Sequence, residues 1–193
     1  MPPSFSALSP LMQQALAASQ ANDSTTALEL LAKATQEEPA SAWPHFLLGA
    51  ELAQTRRYQE AEAAYANAVL LAPTLTIARY ELGTLQFTSG RASLAFVTWQ
   101  PLLNLPDTDS LKLFVLGYME LANDAFANAV GFFQRGIAAN MANPPLNDNI
   151  QLLIDRIRPL MQAPTDQVRN TEVAKGDNTE HFLLSAYNKS PSH

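Results

Sequence analysis

His45, His181 and His193 are the only imidazoles in the chain, and no two of them stand at a spacing that would bring both to one metal ion. Glu180-His181 puts an acid beside a base, but neighbours in a polar stretch cannot hold the fixed geometry that proton transfer requires. Arg56-Arg57 could attract an anion, yet it separates two apolar-periodic stretches and reads as a solvated turn. With no cysteine there is no thiolate nucleophile or thiolate metal site. The sequence also lacks a glycine-rich phosphate loop, a nucleophile elbow and a pair of carboxylates on one rigid element. It therefore predicts a protein without catalytic residues, metal ligands or cofactor, and not an enzyme.

Charge narrows the partners. Eighteen acidic against twelve basic residues leave a net charge of −6, which disfavours nucleic acid or an anionic lipid surface. No run approaches the ~18 consecutive apolar residues of a membrane span. The opening Met-Pro-Pro-Ser-Phe-Ser has neither the basic region nor the apolar run of a signal peptide. Together with the missing cysteines, these features lead us to expect a cytoplasmic protein.

The elements that would carry any binding chemistry follow one ruler. Gly49, Gly83 and Gly117 stand 34 residues apart, and so do Ala27, Ala61, Ala95 and Ala129. Each alanine is followed four residues later by a bulky side chain: Leu31, Tyr65, Trp99 and Phe133. Ala34 and Ala68, then Pro39 and Pro73, complete the first two units, while Leu102 and Gly136 take the place of the second alanine in the other two. This period, with Leu-Gly early, Ala in the middle and Pro late, resembles the tetratricopeptide-repeat (TPR) family. The resemblance implies an all-α, right-handed helix-turn-helix solenoid whose role is protein interaction, and it names no subfamily beyond a small bacterial-type TPR protein.

Taken in order, residues 1–7 read as a loose N-terminus and residues 8–141 as four repeats, at about 8–41, 42–75, 76–109 and 110–143. Ser9 can cap the first helix with Pro10 at its first position. The first unit is atypical, with Gln14-Ala15 where later units have Leu-Gly. Small residues at Gly49 and Ala61 would let two helices approach closely, with Tyr65 filling the gap beneath. Gly90 occupies the turn of the third unit, where a positive φ is cheap. Asn147 or Asp148 would cap a covering helix in 144–163, with Ile150, Leu153, Ile154, Ile157 and Leu160 on one stripe. Residues 164–193 read as a flexible tail ending in an apolar patch at 181–187. Its Phe182, Leu183, Leu184 and Tyr187 are either an interaction motif or one extra turn packed on the covering helix.

In TPR proteins the second, fifth, ninth and twelfth positions of each first helix point into a groove. Carried over, they give Ser9, Met12, Leu16 and Ser19, then Trp43, Phe46, Ala50 and Ala53. The third and fourth units supply Ile77, Tyr80, Thr84 and Phe87, then Leu111, Phe114, Tyr118 and Leu121. None is charged and six are aromatic. A groove that clamps the acidic tail of a chaperone would need Lys, Arg or Asn here, so that reading fails. The expected peptide-binding residues are Met12, Leu16, Trp43, Phe46, Ile77, Tyr80, Phe87, Phe114, Tyr118 and Leu121, suited to an apolar or amphipathic segment. The function expected is that of an adaptor, scaffold or chaperone. The alternatives are that the same aromatics are core, or that the chain's own tail or a second copy in a homodimer covers them in a structural assembly subunit.

Overall fold

A computed structural model describes residues 8–162; the N-terminus before them and the tail after them, with Phe182, Leu183, Leu184 and Tyr187, lie outside the described residues. Among the described residues the chain is helical, with nine α-helices and two short 3-10 segments. Four helix-turn-helix pairs come first: α1 (Pro10–Gln20) with α2 (Ser24–Glu37), α3 (Ala42–Gln54) with α4 (Tyr58–Leu71), α5 (Thr76–Thr88) with α6 (Ala92–Trp99), and α7 (Ser110–Ala122) with α8 (Phe126–Ala139). The last helix, α9 (Pro144–Ile157), lies against α8. The chain divides into two compact units within α5, one ending at Leu85 and the other beginning at Gln86.

All four pairs turn by the same device. Asn22, Arg56, Gly90 and Asp124 have φ of 58°, 63°, 79° and 57°, and they stand 34 residues apart. The residue after each donates its N–H five positions back, Asp23 to Ala18, Arg57 to Leu52, Arg91 to Gln86 and Ala125 to Glu120, at 2.8–3.0 Å. This is the helix-ending loop in which a left-handed residue lets the chain satisfy the last carbonyls. Only Gly90 adopts that φ freely; Arg56 does so at a cost of about 1 kcal/mol.

In the first unit Tyr65 lies across Gly49. A Cβ on Gly49 would sit 2.6 Å from Tyr65 Cδ1. Leu52, Ala61, Ala64, Tyr65, Leu82 and Leu85 form its main core, and Ala42, Ala68 and Ala78 a second cluster; Phe46 packs on both. Ser9 stands at the N-cap of α1, but its hydroxyl makes no capping bond, whereas Asp23 accepts the Thr26 N–H at the start of α2.

The second unit repeats the ring-over-glycine contact with Phe133 on Gly117, where an added Cβ would lie 2.5 Å from the ring. It adds a mirror image, Phe114 on Gly136, at 2.4 Å. Pro101 has no N–H for the carbonyl four residues back, so α6 stops at Trp99 and a 3-10 segment, Gln100–Asn104, carries the buried Leu102. Asp109 caps α7 by accepting from Leu111 and Lys112 N–H.

The start of α9 corrects one expectation. Asn143, not Asn147 or Asp148, is its cap, accepting from Leu146 N–H at 3.3 Å, and Pro144-Pro145 form its first turn, where missing donors cost nothing. Asn147 instead ties the corner. The buried Asn140 Nδ2 donates to Asn147 Oδ1 and Asn143 O at 2.8 Å, and Asn147 Nδ2 donates to Asn140 O at 3.0 Å. Leu146, Ile150, Ile154 and Ile157 are buried; Leu153 and Leu160 are half-buried.

Two outcomes follow. Gly49→Ala and Gly117→Ala each gain about 1 kcal/mol of helix propensity but overpack an aromatic ring, at about 1–3 kcal/mol, so both should lower the urea midpoint. Gly131→Ala, with nothing within 4 Å of its added Cβ, should raise it. A stabilised Gly49→Ala protein would remove the ring from that position.

Burial pushes the Glu81 carboxyl up to about 7 from an ordinary 4.5, although the residue keeps some surface. A raised carboxyl binds its proton more tightly folded than unfolded, so its contribution to stability is full below about 4.5 and falls as pH rises to about 7. Melts from pH 4.5 to 8 should show Glu81→Gln gaining on the parent with rising pH; a constant difference would contradict this.

Candidate peptide-binding face

The ten residues expected to line a groove part company. Met12, Tyr80, Phe87, Phe114, Tyr118 and Leu121 are buried, Phe114 completely. Leu16, Trp43, Phe46 and Ile77 keep part of their surface, and all four belong to the first unit.

The burial in the second unit has a visible cause. Phe87, Phe96, Trp99, Tyr118 and Phe133 form one aromatic cluster: Phe87–Tyr118 centroids lie 5.1 Å apart, Trp99–Tyr118 are stacked at 5.3 Å, and Tyr118–Phe133 meet edge-on at 5.2 Å. Phe114 spends its ring on Gly136. These side chains present little or no surface to a ligand. The apolar α7 is satisfied within its unit, against α8, α6 and the 3-10 segment.

The first unit is more open. Trp43 and Phe46 stand one helical turn apart on α3 with ring centroids at 5.7 Å, edge to face, and Phe46 lies 6.0 Å from the buried Tyr65. Phe46 has Ala68 beside it where Phe114 has Gly136, since both pairs occupy the same repeat positions. Leu16 on α1 and Ile77 on α5 share the register, as do the half-buried Ser19, Ala50 and Ala53.

One polar residue near this face escaped the sequence reading. Glu51 is only 3% exposed, yet it is the sole charged residue of α3. Its Oε2 accepts from Ser19 Oγ at 2.7 Å, and its Oε1 is enclosed without a hydrogen-bond partner. A single acid in an otherwise uncharged helix was the available signal.

The other candidates for chemistry are surface features. Arg57 donates to both oxygens of Glu60 at 2.6 and 2.7 Å, which raises the guanidinium pKa and lowers that of the carboxyl. Residues 56–60 line an open depression of about 240 Å³ in which Arg57 is already paired. His45 is half-buried in the first turn of α3, and burial lowers its pKa. Among the described residues no three acidic or histidine side chains gather as metal ligands, and no helix is long and apolar enough to cross a membrane.

No family model and no curated protein matches the sequence. Solved structures do match in fold. The chain is similar to MamA 41-end from Desulfovibrio magneticus RS-1, with a TM-score of 0.58 and 15% identity over 93% of this chain and 96% of that one. A second MamA crystal structure gives 0.56 and 19% over 67% and 75%. A chain of the APC/C hetero-tetramer Cut9-Hcn1 gives 0.65 and 17%, covering 92% of this chain and 35% of that longer one. Identities this low carry the fold alone, and MamA and the APC/C chain are both TPR-repeat proteins. The 34-residue ruler, the helix pairs it produces and these likenesses make the chain a tetratricopeptide-repeat protein by fold.

Proposed function

We propose that the chain works by protein–protein interaction, as an adaptor or chaperone that takes an apolar or amphipathic segment on the α1–α3–α5 face of its first unit. The observation that carries this reading is the partial exposure of Leu16, Trp43, Phe46 and Ile77 in the first unit, whereas on α7 Phe114, Tyr118 and Leu121 are buried and only Leu111 of the four register positions keeps part of its surface. TPR-fold neighbours, one of them from a hetero-tetramer, support a protein partner.

Magnitudes bound the affinity. Full burial of a large apolar side chain is worth about 1.5–3 kcal/mol, and these four already hide part of their surface. They offer on the order of 3–6 kcal/mol together, against which association costs several kcal/mol. The contacts of these four side chains alone therefore leave little net binding free energy, and a segment held by them has a Kd on the order of 1 mM or weaker.

The chain has two tryptophans, and Trp99 is fully buried, so collisional quenching by acrylamide reports chiefly on Trp43. A saturating heptapeptide, acetyl-Ala-Leu-Phe-norleucine-Phe-Leu-Ala-amide, should protect that accessible component. Ile77→Ala should weaken the titration several-fold with an unchanged helical spectrum, whereas Phe114→Ala should lower the melting temperature. Saturation with Trp43 still fully quenchable, or an affinity indifferent to Ile77, would place binding elsewhere.

A further inference from the structure

Glu51 is the one buried carboxyl near this face whose oxygens are not both satisfied. A carboxyl group with 3% exposure ordinarily has its oxygens satisfied or faces a cation. Here one oxygen has a single serine donor, the other has none, and no Lys, Arg or His among the described residues pairs with it. Ser19, the donor, occupies the twelfth position of the first repeat and keeps part of its surface. On α3, Glu51 follows Ala50, which belongs to the same register.

We infer that Glu51 is the polar anchor of this face, and that the segment bound there carries one basic side chain, lysine or arginine, among its apolar residues. The inference rests on the reading above and names the chemistry of its ligand. An ammonium or guanidinium supplies the donor that Oε1 lacks and neutralises the carboxyl charge in a low-dielectric setting, where charge-assisted bonds are strong. Ser19 is the gate. A half-exposed serine hydroxyl changes rotamer on the picosecond-to-nanosecond scale, which uncovers the carboxyl toward the face. The net charge of −6 draws cations toward the whole molecule; Glu51 gives that attraction a place. The weakness of the apolar contacts is thereby offset.

The test uses the full chain and two probes, the norleucine heptapeptide above and the same peptide with lysine at the norleucine position. The lysine peptide should bind at least ten-fold more tightly. Glu51→Gln should abolish the preference and leave the norleucine affinity unchanged. Glu37→Gln, an equal charge change on the exposed surface, should preserve it. Ser19→Ala, which frees both oxygens, should tighten the lysine peptide further, and it decides the matter if Glu51→Gln proves unstable. Equal affinities in the parent protein, a preference that survives Glu51→Gln, or a Ser19→Ala protein with unchanged lysine affinity would each overturn the anchor while leaving the apolar face standing. Failure of both peptides to bind would overturn the face reading and the anchor with it.

Discussion

An aromatic ring lying on a helical glycine is the contact on which the rest of this structure depends. Tyr65 on Gly49 and Phe133 on Gly117 set how closely the two helices of a repeat approach, since one methyl group at either glycine would stand 2.5–2.6 Å from ring carbons. Glycine inside a helix costs about 1 kcal/mol of propensity; close packing of a whole ring against backbone more than offsets it. Because the contact joins the middle of one helix to the middle of the next, the turn between them must be short and of fixed length. The four left-handed residues on the 34-residue ruler meet that demand.

The same economy of rings separates the two units in what they can offer a ligand. Phe114 sinks onto Gly136 and disappears, while Phe46, at the same repeat position but beside Ala68, remains partly in view. Tyr118 and Phe87 are drawn into a cluster with Trp99, whereas in the first unit Phe46 meets Trp43 edge-on at 5.7 Å and Tyr65 at 6.0 Å. Phe46 and Phe114, at equivalent places, thus differ, the one partly in view and the other core, and Tyr80 at the same place in the third repeat is core as well.

Much of the fold was legible in the sequence because it is periodic. Recurrence of Gly, Ala and a bulky residue specified the helix pairs, the ring beneath Gly49 and the turn at Gly90. Features that depend on one residue out of step were harder to read. Pro101 shortens α6, and the cap of α9 lies at Asn143 because Asn147 is claimed by the Asn140 corner. The candidate site was legible only as a register. Helical spacing says which side chains share a face, but whether a neighbour covers them depends on packing in space, and Phe114 illustrates this. Glu51 was passed over because it falls outside the groove positions; its significance lies in the missing partner, which no sequence displays.

The central claim is that Leu16, Trp43, Phe46 and Ile77 stay open in the first unit while Phe114, Tyr118 and Leu121 are closed in the second. The native chain has no cysteine, so a single thiol can be placed at will. Ile77→Cys and Phe114→Cys variants, treated with a thiol reagent under native conditions, give the most direct comparison. The account predicts that Ile77→Cys reacts within an order of magnitude of the unfolded chain, and that Phe114→Cys reacts only as fast as its unit opens, accelerating with urea. Comparable native rates at the two positions would contradict it.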